Sequence, residues 1–440
     1  MIFSCASDDN YVPIIIETTT DNFEMQQNSS IEINVLSNDS NVPTNGSLTV
    51  SNSQNATIEV LDNNNTVTNP SDDTIKYTPN SNFVGNDSFT YTLCNSEGSC
   101  STETVLITVT PVSPVIIDLE TMPYATLSEY NFYEGELHNL EPVFGVLPYD
   151  LNSTLFSDYA HKKRFVWMPE GSKAVYENDF TPLNFPVGAV LIKNFYYDGV
   201  QPNNTTRIIE TRLMYKTESG WDFANYVWNE SQTEATFTDS SSFVSLDWIE
   251  DGNLKSVNYQ VPSRADCFTC HNKNVIPIPI GPKPQNLNRD YTYSNGISNQ
   301  LSKWIEFGYL EDNLPPTIVS TVKWDDESLP LNDRVRSYVD INCAHCHADQ
   351  SYCEYRTMRF AFNENDDDYN MGICVPPQTQ VSPYTRIIVP GNINNSLLHF
   401  RISTIQQQYK MPLLGRTLQH EEGVQLIEQW INSLNTGECQ

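Results

Sequence analysis

The pentapeptide Cys-x-x-Cys-His occurs twice, as Cys267-Phe-Thr-Cys270-His271 and Cys343-Ala-His-Cys346-His347, and constrains the chain more than any other feature. Two thiols three positions apart leave one helical turn on the same side, and the next His follows at once. Such spacing lets both sulfurs bond the vinyl groups of one porphyrin while the imidazole ligates its iron. With 10 Cys and 7 His in 440 residues, random placement yields roughly 0.004 copies, so chance is a poor account. The expectation is two covalently bound haem c groups, with Cys267, Cys270, Cys343 and Cys346 as thioether residues and His271 and His347 as iron ligands. Paired cysteines also make redox dithiols, or tetrahedral zinc sites when two pairs combine. Zinc leaves both trailing His residues without a role. His345, inside the second motif, is expected to point away from the iron.

Around the second motif the other parts follow in order. An amphipathic stretch from Leu331 to Asn342 leads into Cys343, and Ile427, Trp430, Ile431 and Leu434 repeat with the spacing of a helix face packed on a core. Between them runs Tyr409-Lys410-Met411-Pro412-Leu413. Residues 330–435 resemble class I cytochromes c, and the resemblance implies Met411 as distal ligand, a thioether that raises the potential. A core-filling role for Met411 is the alternative. After the first motif, Ile280-Gly281-Pro282-Lys283-Pro284-Gln285-Asn286-Leu287 resembles the Gly-Pro-x-Leu loop of cytochromes c. That resemblance implies that the Pro282 carbonyl accepts a hydrogen bond from the proximal imidazole. A short helix with Leu301, Trp304 and Ile305 then takes the place of the terminal helix. No Met or His lies between His271 and that helix, so the sixth iron position is open or filled from elsewhere. Met214, Met168 and His161 precede the motif, and Met358 and Met371 follow it. Each Met reads more readily as core packing, and His161 as part of the solvated run His161-Lys162-Lys163-Arg164.

Lys and Arg number 24 against 55 Asp and Glu, a formal charge of −31. Such repulsion excludes nucleic acid and favours a basic redox partner, unless acidity serves solubility alone. Outside the motifs stand Cys5, Cys94, Cys100, Cys353, Cys374 and Cys439. Cys94 and Cys100 flank a turn-like Asn-Ser-Glu-Gly-Ser, which suits a disulfide across a hairpin, and Cys353 with Cys374 is the second expected pair. Bridges and covalent haem both place the chain outside a reducing cytosol. The start, Met1-Ile2-Phe3-Ser4-Cys5-Ala6-Ser7-Asp8-Asp9, resembles the end of a bacterial lipoprotein signal peptide. That implies a longer precursor, a lipid on Cys5 and an outer-membrane lipoprotein on the periplasmic side or the cell surface, an ordinary exposed Cys being the alternative. Nothing else approaches the run of about 18 apolar residues that spans a membrane.

The fold expected is multidomain. Residues 1–13 form the lipoprotein-like N-terminus, and 14–112 an all-β sandwich with strands at Ile31 to Leu36, Ser47 to Ser51, Ala56 to Leu61, Thr74 to Thr78, Ser88 to Leu93 and Thr104 to Thr110. Val35-Leu36-Ser37-Asn38-Asp39 and the segment from Tyr77 to Tyr91 resemble an immunoglobulin-like or cadherin-like repeat of bacterial surface proteins, which implies a spacer or an adhesive unit. Asp39, Asp72, Asp73 and Asp87 offer oxygens to calcium, though solvated loop carboxylates are the leading account. Pro111-Val112-Ser113-Pro114 reads as a stiff linker to a β-rich domain at 115–262 that caps the first haem. Two small, mainly α, cytochrome c-like modules follow at 263–314 and 315–440, in which Gln300-Leu301-x-x-Trp304-Ile305 echoes Gln425-Leu426-x-x-x-Trp430-Ile431.

Leu155-Phe-Ser-Asp158-Tyr159, Pro186-Val-Gly188, Glu210-Thr211-Arg212, Gly281-Pro282, Asn286-Leu287-Asn288-Arg289, the second motif and Pro390-Gly391 carry a wider likeness. Through them residues 115–440 resemble an uncharacterised family of bacterial dihaem c-type cytochromes, which implies fold and cofactor but no substrate. Exported electron transfer is the function expected. A dihaem oxidoreductase of peroxidase type, its first iron open, is the alternative, and an adhesion protein with accessory haems the third.

Overall fold

A computed structural model describes residues 15–435 and 439, so Cys5 lies outside the described residues. The chain divides into two compact units, 1–113 and 114–440, and the division falls within Pro111–Pro114. Among the described residues no helix is long and apolar enough to cross a membrane.

The first unit is a sandwich of two sheets. Its strands are β1 (Asp21–Gln26), β2 (Ile31–Ile33), β3 (Gly46–Val50), β4 (Ala56–Leu61), β5 (Thr74–Pro79), β6 (Gly85–Asn95) and β7 (Cys100–Thr110). They pair in the orders β1-β7-β6-β3 and β2-β5-β4. Alternation puts Phe89, Tyr91 and Leu93 of β6 and Val105, Ile107 and Val109 of β7 into the shared core. Where one strand was expected over Ile31 to Leu36, the chain leaves the sheet at Asn34, whose side chain accepts from the Leu36 amide and starts a 3-10 turn. Cys94 and Cys100 form the expected disulfide across the β6–β7 hairpin. Asp39 accepts from the Tyr91 hydroxyl and the Thr19 amide, and Asp87 from Tyr77, Ser53 and Asn55, so these carboxylates serve the sandwich's own hydrogen bonding.

The second unit is built on one long antiparallel sheet. After a short ladder of β8 (Tyr133–Glu134) and β9 (Glu141–Pro142) come β10 (Leu147–Tyr149), β11 (His161–Trp167), β12 (Val190–Val200), β13 (Thr205–Thr217), β14 (Gly220–Trp228) and β15 (Ala235–Thr238), paired in chain order. β16 (Ser242–Glu250) and β17 (Asn253–Val261) join through a pairing to β12. The central strands β12, β13 and β14 are buried on both faces, whereas β16 and β17 alternate buried and exposed positions. One face, with Phe165, Ile192, Leu213 and Tyr226, closes on Tyr130 and Phe132. The other face carries Val166, Leu191, Met214 and Phe223 against Cys267, Leu287, Leu301 and Trp304.

Helices follow the sheet: α1 (Arg264–Cys270), α2 (Pro284–Leu287), the hairpin β18 (Asp290–Tyr293) and β19 (Gly296–Asn299), then α3 (Gln300–Glu306), α4 (Leu331–Val339), α5 (Asp368–Met371), α6 (Leu397–Ser403) and α7 (Glu421–Ser433). Residues 115–262 and 263–314, expected as separate domains, share a single core. A segment of about 50 residues cannot bury enough apolar surface by itself, and it borrows the sheet. A further core under α4 and α7 gathers Val335, Val339, Leu426, Ile427, Trp430 and Ile431.

Candidate functional site

α1 begins where β17 ends, and a capping box fixes the junction: Ser263 accepts from the Asp266 amide while the Asp266 carboxylate accepts from the Ser263 amide. The helix ends on Cys270, with His271 as its C-cap. Cys267 is buried beside Asn225 of β14, whose amide nitrogen lies 4.0 Å from its sulfur. The His271 ring packs edge-on against Phe223, 5.3 Å between centroids. Its Nδ1 lies 2.9 Å from the Ile278 carbonyl, and the Ile278 amide returns a bond to the His271 carbonyl. With Nδ1–H donating, Nε2 keeps its lone pair for a metal.

Pro282 does not take the role expected of it. The double contact with His271 brings Ile278 to the imidazole, four residues short of Pro282, and the Pro282 carbonyl accepts from the Leu183 amide instead. Pro282 contributes to the cavity wall alone.

The second motif leaves α4 through a π turn, Asp340–Ala344, that brings Cys343 inward. Two buried side chains lock this turn. Asp340 accepts from Lys283, Gln285 and the Phe362 amide, and Asn342 joins the Phe156 amide to the Tyr338 carbonyl. His347 is buried with its ring edge-on to Phe360, and its Nδ1 has no hydrogen-bond partner. Burial pushes His271 down to about 3 and His347 to about 4, so both imidazoles are neutral at ordinary pH, the form that ligates metals. Burial likewise raises the Cys267 thiol to about 11 and Cys343 to about 12.

The two motifs meet. The sulfurs of Cys270 and Cys346 and a ring nitrogen of His345 lie within 4.8 Å of one another. A hydrogen bond shared with Cys346 pulls the Cys270 thiol down and pushes Cys346 up. His345, expected to face away, stands between the motifs.

Each motif opens on its own cavity. That of the second motif, about 1030 Å³ with its mouth, is lined by Cys343, Cys346, His347, Met358, Leu397 and Met411 among others. That of the first, about 1300 Å³, is lined by Cys267, His271, Pro282, Leu191, Met214 and Phe223 among others. Cys270, His345, Pro412 and Leu414 border both. Met411 is held at the wall of the second cavity: its amide donates to the Arg401 carbonyl and its carbonyl accepts from Arg416. Of the candidates for the first iron, Met214 lines the cavity, whereas Met168 is sealed in the core at 1% exposure. His161 lies at the surface beside Asp198, in a different cleft. Met358 faces the second cavity and Met371 the core.

Sequence reasoning missed the cations. Arg356 and Arg401 line the second cavity and Arg164, Lys193, Arg212 and Arg416 the first, against a single carboxylate, Asp266, already engaged in its cap. Basic residues interrupting otherwise apolar strands were the available signal. Cys353 was also misplaced: it is free and buried at the second cavity, and Cys374 is bonded to Cys439. The Cys353 amide donates to the Cys346 carbonyl, which holds Cys353 in the turn after the motif.

Residues 10–108 match a family model described as a bacterial Ig domain, so the first unit is an immunoglobulin-like domain of a multidomain, strongly β-rich chain. No curated protein matches the chain. A solved structure titled Protocadherin Gamma B7 extracellular cadherin domains 1–4 aligns over 56% of this chain and 75% of its own at 8% identity. Its TM-score is 0.18.

Proposed function

We propose that the second unit is a dihaem c-type cytochrome that moves single electrons between its two haems and a basic partner protein. The observation that carries this reading is that each Cys-x-x-Cys-His faces an apolar cavity of its own, and that the two cavities share a wall at Cys270, His345, Pro412 and Leu414. The donor set suits the group: neutral imidazoles, thiols in reach of the same cavities, and basic side chains placed for carboxylates in a chain of charge −31. When bound, haem c supplies one-electron chemistry at iron. The chain's own residues do the rest. Cys267, Cys270, Cys343 and Cys346 would tether, His271 and His347 would ligate, Met411 would offer a thioether to the second site, and Met214, which lines the first cavity, is the candidate to complete the first. The apolar walls exclude water, and the common wall keeps the path between the sites short. An exported setting, with a lipid on Cys5 holding the chain at the outer membrane and the immunoglobulin-like unit as spacer, belongs to the same proposal.

One observation favours a second reading. Cys270, His345 and Cys346 lie close enough together to supply three of the four ligands of a tetrahedral zinc site. That reading leaves Cys267, Cys343, His271, His347 and both cavities without a task. Intact-mass and metal analysis after expression with cytochrome maturation machinery separates the two. The expected result is the added mass of two macrocycles and two irons per chain. An unmodified mass with one zinc would sink the proposal.

A further inference from the structure

The first cavity contains a row that runs straight across the sheet. Arg164 of β11 is the cross-strand partner of Lys193 of β12, Lys193 of Arg212 of β13, and Arg212 of Asn225 of β14. All four line the cavity. Antiparallel neighbours stand about 4.8 Å apart, so the row carries three cations within roughly 10 Å. Their charges are incompletely matched. Among the described residues the Lys193 ammonium has no hydrogen-bond or ion-pair partner, and it lies over the Phe195 ring at 4.9 Å from the centroid. Arg164 is 4% exposed and pairs with Asp150 through Nη1, while its buried Nη2 has no partner. Arg212 pairs with Glu210 through Nη2, and its buried Nε has none. A buried donor without a partner is costly, so the two arginine nitrogens, set on one wall with the Lys193 ammonium, are groups that a ligand would satisfy. Burial and the neighbouring Arg164, Lys162 and Arg212 hold the Lys193 amine well below the usual lysine range, a penalty that an anion seated on the row reverses.

We infer that Arg164, Lys193 and Arg212 form a carboxylate-binding site, and that the occupant is the propionate edge of the first macrocycle. Orientation supports this choice of occupant. Asn225, at one end of the row, touches Cys267, a tethering sulfur, and Lys193 and Arg164 stand two and three strands away. A porphyrin tethered through its vinyl positions would carry its propionates on the edge away from the tethers, which suits Lys193 and Arg164 at the far end of the row from Cys267. The occupant rests on the haem reading, whereas the carboxylate site does not. A free small carboxylate is the other source of the same chemistry.

Lys193→Gln in the full chain tests both. In the haem-loaded protein the midpoint potential of the first haem falls, because a positive charge beside it is lost, while that of the second is unchanged. Lys193→Arg keeps the original value. Acetate has no effect on the loaded protein, whose site is filled. Calorimetry on the chain produced without maturation machinery gives acetate binding that weakens by at least about tenfold in Lys193→Gln. Acetate bound by the loaded protein, with both potentials indifferent to the substitution, would overturn the propionate assignment in favour of a free anion. Indifference of both potentials and of acetate affinity would overturn the site itself. If no haem attaches but acetate binding depends on Lys193, the carboxylate site stands and its assigned occupant falls.

Discussion

His271 and His347 hold the same place in their motifs and differ in what their Nδ1 meets. If the proposed haems are bound, the bond from His271 to the Ile278 carbonyl would make that imidazole the more basic ligand, and a more basic ligand favours ferric iron. His347 Nδ1 lacks such a partner, and Met411, whose thioether as a ligand would favour ferrous iron, lines the same cavity. The second haem is therefore expected to be the more oxidising of the two. Met411→Ala should remove the weak far-red absorption of Met ligation to ferric haem and lower the potential of the second haem, as read by spectroelectrochemistry. A wild-type spectrum that never contained that band would show the Met411 assignment to be wrong. At this scale the two Cys-x-x-Cys-His motifs were legible because their spacing is local and fixed in the sequence. Ile278 was not, since which carbonyl reaches an imidazole depends on how the loop folds back.

Strands were legible where alternation is strict and less so where a side chain competes with the ladder, as Asn34 does after β2. β1 was not expected. It pairs in parallel with β7 and carries Asp21 into the sandwich at 5% exposure. Burial, then the nearby charge of Asp39, push the Asp21 carboxyl up to about 6 from an ordinary 3.8. The folded unit thus holds a proton that the unfolded chain has released between those two values, so stability is lost as pH rises through that window. Asp21→Asn is expected to stabilise the first unit on the order of 1 kcal/mol at pH 7 and to have no such effect near pH 3.5. Scanning calorimetry of the full chain at both pH values reads this out. An equal gain at both would mean that ionisation is not the cause. In β11, β12 and β13 the basic positions were visible in the sequence, yet their alignment into one row depends on register.

At the level of the molecule, the boundary between the units was visible in the paired prolines, but the unity of residues 114–440 was not. No local pattern says that α3 completes a core begun in β10. Trp304, fully buried against Tyr149 and Phe185, is where the two meet. Trp304→Ala is expected to cost roughly 3–5 kcal/mol and to lower the urea midpoint of sheet circular dichroism and, if the proposed haems are bound, of haem absorbance together. Separate transitions for the two signals would contradict a common core. The contact between Cys270 and Cys346 has a consequence for how such a chain is assembled. In an oxidising compartment two adjacent thiols can close into a disulfide, and a sulfur so engaged is lost to thioether formation. One oxidation event would disarm both attachment points at once. On the proposed dihaem reading, biogenesis would therefore run in a set order, with reductant guarding the nascent polypeptide and ligation finished before the motifs close on each other.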